Sequence, residues 1–93
     1  MRTKVVDSTV LGKVTIAGLR MSQRFSLMEA AEKDDKLVIV EMLHLCVVDE
    51  EGNALKTVKE WDIFGGDNFE DALLLFKACK DFNDFSGKQA EKK

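Results

Sequence analysis

Ninety-three residues with no proline, two cysteines and a formal charge of −3 bound the problem before any motif is read. That length holds one small domain, and an apolar share of 45% beside a charged share of 33% is the balance of a folded chain rather than a disordered one. The acidic balance lacks the basic face that nucleic-acid binding uses. The longest apolar run, Ala72 to Phe76, is five residues, against roughly 20 for a membrane span, so neither nucleic acid nor membrane is expected as a partner.

The opening Met-Arg-Thr-Lys-Val-Val has no apolar stretch of signal-peptide length, which predicts a cytoplasmic location. In that compartment Cys46 and Cys79 read as reduced thiols packed as small hydrophobes. A domain of this size buries only roughly 60% of its unfolded surface, so self-association is an expected source of further stability.

Three segments of one domain follow: a β-rich arm or hairpin over 1–20, a helical domain over 21–85 and a polar tail over 86–93. In the first, Val5, Val6, Thr9 and Val10 form one β-branched run and Val14, Thr15 and Ile16 another. Asp7-Ser8 and Gly12 supply turn chemistry between them. From Ser22 the period becomes helical. Met21, Phe25 and Met28 fall at i, i+4 and i+7, with Leu27 and Ala31 widening the stripe and Arg24, Glu29 and Glu32 on the other face. A start is expected at Ser22 or Ser26 and a charged break at Glu32-Lys-Asp-Asp35.

Residues 37–48 are apolar almost all round, which signals burial without fixing the period. The β-branched content and the following Asp49-Glu-Glu-Gly-Asn53 favour a hairpin over 43–58. The length, with Ile39, Met42, Leu43 and Cys46 at helical spacing, favours a buried helix. Thr57-Val-Lys-Glu60 is a capping-box pattern that opens a short helical turn through Trp61 and Phe64, ended by Gly65-Gly66. The last helix is predicted over 68–83, with Phe69, Leu73, Phe76 and Cys79 inward and Glu70, Asp71, Lys77 and Lys80 outward. The fold class is thus mainly α, three to four helices with a β-rich N-terminal hairpin, or α+β if 43–58 is a hairpin. The candidate core is Phe25, Ile39, Leu43, Cys46, Trp61, Phe64, Phe69, Leu73, Phe76 and Cys79.

No arrangement for chemistry stands out. His44 and Cys46 point apart on a helix, and a metal site needs more ligands than the pair supplies even on a strand. Cys79 with His44 lacks any orienting or oxyanion motif, and Asp49-Glu50-Glu51 lacks the spacing of a calcium loop. Gly65-Gly66 is not followed by the lysine and hydroxyl residue of a phosphate loop. No catalytic residue, metal or cofactor is therefore assigned, and an enzyme is not expected. What remains is apolar surface in excess of a small core. Met21, Met28 and Met42 with Phe82 and Phe85 are the candidates to face another chain, since methionine adapts to irregular apolar partners.

Residues 37–86 resemble the tail assembly chaperones of long-tailed, siphovirus-like bacteriophages. The pattern is an apolar helix running into Val-x-Asp-x-x-Gly, a short segment, and a final amphipathic helix ending near an asparagine. It is carried here by Leu43-His-Leu-Cys-Val-Val-Asp49-Glu-Glu-Gly52-Asn, by Trp61-Asp-Ile-Phe64 and by Phe69 to Asn83. The resemblance implies a helix over 37–48 and a small, self-associating protein of the host cytoplasm, absent from the mature virion. It would cover the apolar tape-measure protein until tail tube protein polymerises around it. It also implies a programmed −1 frameshift giving a longer form, which codons for Ser86-Gly87-Lys88 or Glu91-Lys92-Lys93 permit. A regulatory adaptor with one folded partner, or a structural virion accessory protein, would share the same composition.

Overall fold

The computed structural model describes residues 2–84. The two N-terminal β-branched runs pair with each other as antiparallel strands β1 (Thr3–Ser8) and β2 (Gly12–Ala17), in the register Val6↔Val14 and Ser8↔Gly12. A three-residue connection closes this hairpin with Gly12 at φ +80°, a region in which an L side chain is strained. The far edge of β2 takes a third strand, β3 (Val47–Val48), through Ile16↔Val47. Val14, Ile16 and Ala17 are buried, so the hairpin is a wall of the single core rather than an arm beside a helical domain. The architecture is therefore a small α+β domain. More than half of the described residues are nevertheless helical.

Residues 37–48 combine both readings of that segment. Helix α2 (Leu37–Cys46) is followed at once by β3. A tight turn then forms in which Asp49 Oδ1 accepts the N–H groups of Glu51 (2.8 Å) and Asn53 (3.0 Å) and Gly52 takes φ +88°. Val48 bridges to Ala54 across this turn, so a remnant of the 43–58 hairpin survives at its tip while its first half is helix. The helix wins to Cys46 because Met42, Leu43 and Cys46 all reach the core from one face. Each fully buried Leu or Met side chain is worth about 1.5–3 kcal/mol.

Helix α3 (Val58–Asp67) starts with the predicted capping box: Thr57 Oγ1 accepts Glu60 N–H at 3.1 Å, and Glu60 Oε1 accepts Thr57 N–H at 2.8 Å. It runs three residues past Phe64, through Gly65 and Gly66, instead of stopping at them. Neither glycine has a left-handed φ, so they lack the backbone signature of a helix stop. Asn68 then serves as the corner between α3 and α4 (Phe69–Phe82), its N–H donating to Phe64 O at 2.7 Å and its carbonyl accepting Ala72 N–H at 3.0 Å.

Two helices turn to the core a face that differs, wholly or in part, from the one their apolar periodicity suggests. Helix α1 (Met21–Lys33) buries Leu27, with Arg24, Ala30 and Ala31 half-buried, and leaves Phe25 exposed. The small alanines allow close approach to α2, and Arg24 Nη2 donates to Asn83 O at 2.6 Å. In α4 the inward residues are Asp71, Ala72, Leu75 and Cys79. Phe69 is 64% exposed, while Leu73 and Phe76 are half-buried. A buried polar contact sets this rotation, because Asp71 binds the hairpin beneath it. The core closes around Trp61, Leu27, Met42, Leu43, Leu75 and the two cysteines.

Candidate functional site

Two buried polar braces fix the frame that carries the surface. Asp71 Oδ2 accepts the Ser8 hydroxyl at 2.6 Å, and its Oδ1 accepts Thr9 N–H at 3.0 Å, while Ser8 Oγ accepts Leu11 N–H at 2.9 Å. The first turn of α4 thereby holds the tip of the β1–β2 hairpin. At the other end of α4, Asn83 is fully buried. Its Oδ1 accepts Leu19 N–H at 2.7 Å, and its Nδ2 donates to Cys79 O at 3.1 Å and Ala17 O at 3.3 Å.

The two cysteines lie beside this second brace. Cys46 donates its thiol to Ala17 O at 3.2 Å and lies 3.6 Å from Asn83 Nδ2. Contact with the Cys46 sulfur, and then burial, push the Cys79 thiol far above its ordinary value. A thiol kept protonated and out of solvent is a poor nucleophile. His44 Nδ1 pairs with Lys56 O at 2.9 Å, away from both sulfurs. Among the described residues no three metal-ligating side chains converge.

Among several clefts on the described surface, the most apolar is a groove of about 490 Å³ between α2, α3 and α4. Ile39, Val40 and Leu43 form its α2 wall, and Phe69 and Leu73 its α4 wall. Gly65 and Gly66 lie along α3 between them, and Lys36 and Asp62 stand at the rim. A Cβ built on Gly66 meets nothing within 4 Å, and one built on Gly65 meets only the Ala72 methyl at an ordinary 3.7 Å. Trp61 also lines the groove and stacks edge-on against Phe64 at 5.3 Å. Its indole N–H is the buried side-chain polar group among the described residues that has no hydrogen-bond partner.

Of the residues assigned to partner contact, Met21 and Met28 are exposed on α1. Phe82 is half-buried beneath the Arg2 guanidinium, 4.5 Å from its ring centroid. Met42 is a correction: it is fully buried, because α2 turns the face of Met42, Leu43 and Cys46 into the core, a face the nearly all-apolar helix does not mark out in its sequence. Phe85 and the 86–93 tail lie outside the described residues. Among the assigned core residues, Leu43, Cys46, Trp61, Phe64 and Cys79 are buried, Ile39 and Phe76 pack at the core's edge, and Leu73 is half-buried in the groove wall. Phe25 and Phe69 are corrections, both facing outward for the reasons of helix rotation given above.

Sequence reasoning missed Asp71, Ser8 and Asn83. Asp71 sits in the first turn of α4, where a carboxylate is expected for the helix dipole alone. Nothing local links it to a serine 63 positions away. No protein-family model, curated protein or solved structure matches this chain.

Proposed function

We propose that this protein is a non-catalytic assembly chaperone that covers apolar helical segments of a tape-measure protein during phage tail morphogenesis. The observation that carries the reading is apolar surface held open on a rigid frame: the α2–α3–α4 groove and, separately, the outward stripe of Met21, Phe25 and Met28 on α1. Exposed patches of this kind mark interaction sites. A groove between helices suits an amphipathic helix laid into it by its apolar side chains. Individual contacts of that size are weak, and several subunits along one long client would supply avidity. The net negative charge keeps such an assembly soluble. The resemblance of residues 37–86 to tail assembly chaperones is the ground for naming the tape-measure protein as client and tail tube protein as its successor. The host cytoplasm as site of action and a frameshifted longer form as companion belong to the same proposal.

Co-expression with the tape-measure protein of the same phage tests this. The chaperone reading expects the client to become soluble and to co-purify with several copies of this chain, while finished virions lack it. A client that remains insoluble, or virions that retain this chain in stoichiometric amount, would overturn it.

A further inference from the structure

We propose that Cys46 and Cys79 form a gated redox pair: the closed fold keeps both reduced, and opening of the α4 end lets a small-molecule disulfide convert them into a bond between α2 and α4. The proposal does not rest on the chaperone reading.

The two sulfurs come from different helices and meet in the interior. Cys46 ends α2 and Cys79 lies in the last turn of α4. Both are free thiols, both are closed to solvent, and they are the two cysteines of the chain. One amide ties them together, since Asn83 Nδ2 lies 3.6 Å from Cys46 Sγ and donates to Cys79 O at 3.1 Å. The side chains themselves are close enough for one thiol to hydrogen-bond the other.

The closed fold protects the pair. No oxidant reaches either sulfur, and contact with the Cys46 sulfur, then burial, keep the Cys79 thiol protonated. Exchange with a disulfide needs a thiolate, so it waits on opening. Helix ends open locally at less cost than the middle of a core, and polar contacts tie this one down. They are the Asn83 amide on Leu19 N–H, Arg24 Nη2 on Asn83 O at 2.6 Å and Arg2 Nη1 on Phe82 O at 3.3 Å.

Cys79 sits on the segment that opens and therefore reacts first. Its thiolate attacks one sulfur of the small disulfide. A mixed disulfide forms, the old S–S bond breaks, and the departing thiolate takes up the proton that Cys79 released. As α4 returns, the Cys46 sulfur attacks the Cys79 sulfur and expels the second small thiol, which carries off the Cys46 proton. The cysteine pair has lost two electrons and the small disulfide has gained them. The product joins two helices that wall the groove, and it restrains the unfolded chain, which stabilises the fold.

Oxidised glutathione added to the reduced full chain at neutral pH tests this, with alkylation in denaturant and mass spectrometry as the readout. The expected product is a monomer lighter by two hydrogens, with no thiol left to alkylate and one Cys46–Cys79 cross-linked peptide after digestion. Cys46→Ser should stop at the mixed disulfide on Cys79. Asn83→Ala should react about tenfold faster or more, because it frees the α4 end. Urea below the unfolding midpoint should speed the wild type in the same sense, which keeps the gate testable if that variant fails to fold. The oxidised chain should unfold at higher urea than the reduced one, and a dithiol reductant should reverse the shift. A wild type that halts at the mixed disulfide, cross-links only between chains, or cross-links only when fully unfolded would overturn the proposal. So would a rate that neither Asn83→Ala nor urea changes, or an oxidised chain that unfolds at lower urea than the reduced one.

Discussion

Replacing Asn83 tests whether the C-terminal end of α4 is fixed by one amide. In Asn83→Ala, the part-buried Leu19 N–H loses the acceptor it now reaches at 2.7 Å. The two carbonyls are less affected: Cys79 O keeps its bond from the Asn83 main chain, and Ala17 O keeps the Cys46 thiol. Orphaning this part-buried N–H costs about 1–3 kcal/mol, and the small cavity left at the fully buried Asn83 site adds about 1 kcal/mol. A loss of about 2–4 kcal/mol should lower the melting temperature of a domain this size by about 10–25 °C. Asn83→Asp should be worse at neutral pH, because a carboxylate oxygen replaces the Nδ2 donor that faces Ala17 O and Cys79 O. Those carbonyls raise the folded pKa of the introduced acid above its unfolded value of about 3.9. The variant's stability is therefore fullest below that value and is lost as pH rises through the folded pKa. Urea unfolding at neutral and acidic pH reads both effects as a change in midpoint at constant slope. An alanine variant within about 0.5 kcal/mol of wild type, or an aspartate variant that does not recover on acidification, would refute the reasoning.

The rotation of α4 predicts that Leu75→Ala costs about 2–5 kcal/mol, since Leu75 is fully buried. Leu74→Ala, at an exposed site, should stay within about 0.5 kcal/mol of wild type by the same urea titration. Gly66→Ala should stabilise the isolated chain by about 0.5–1 kcal/mol, because the added methyl has open space in a helical turn. Calorimetry of dilute protein measures that gain. Thr57→Ala should cost about 0.5–2 kcal/mol by removing the cap of α3. The Thr57 N–H and then its hydroxyl hold the Glu60 carboxyl below its ordinary value. That part of the cap is present at neutral pH and is lost as pH falls through the lowered pKa, a dependence that circular dichroism should find reduced in Glu60→Gln.

Local chemistry was the legible part of this sequence. The β1–β2 hairpin follows from two β-branched runs around Gly12, and the start of α3 from Thr57 and Glu60. The predicted 68–83 limits of the last helix differ from its observed 69–82 by one residue at each end. Helix rotation was not legible, because it depends on partners far along the chain. Asp71 is drawn inward by Ser8 and Thr9, which carries Phe69 out. Arg24 is drawn toward Asn83, which leaves Phe25 and its neighbouring methionines in solvent. Segment 37–48 was divided between two readings because a helix and a strand share it. The groove was not legible either, since Gly65-Gly66 reads as a terminator while the helix passes through it.

The central claim, that this chain exists to cover apolar helices of a tape-measure protein, is tested most directly by client solubility. The tape-measure protein of the same phage is expressed alone, with this chain, and with a variant carrying Leu73→Asp at the groove wall, and the soluble fraction is measured. The account predicts an insoluble client alone, a soluble complex with the wild type and loss of that complex with the variant, whose own fold is checked by circular dichroism. Equal client solubility with and without the wild-type chain would contradict it.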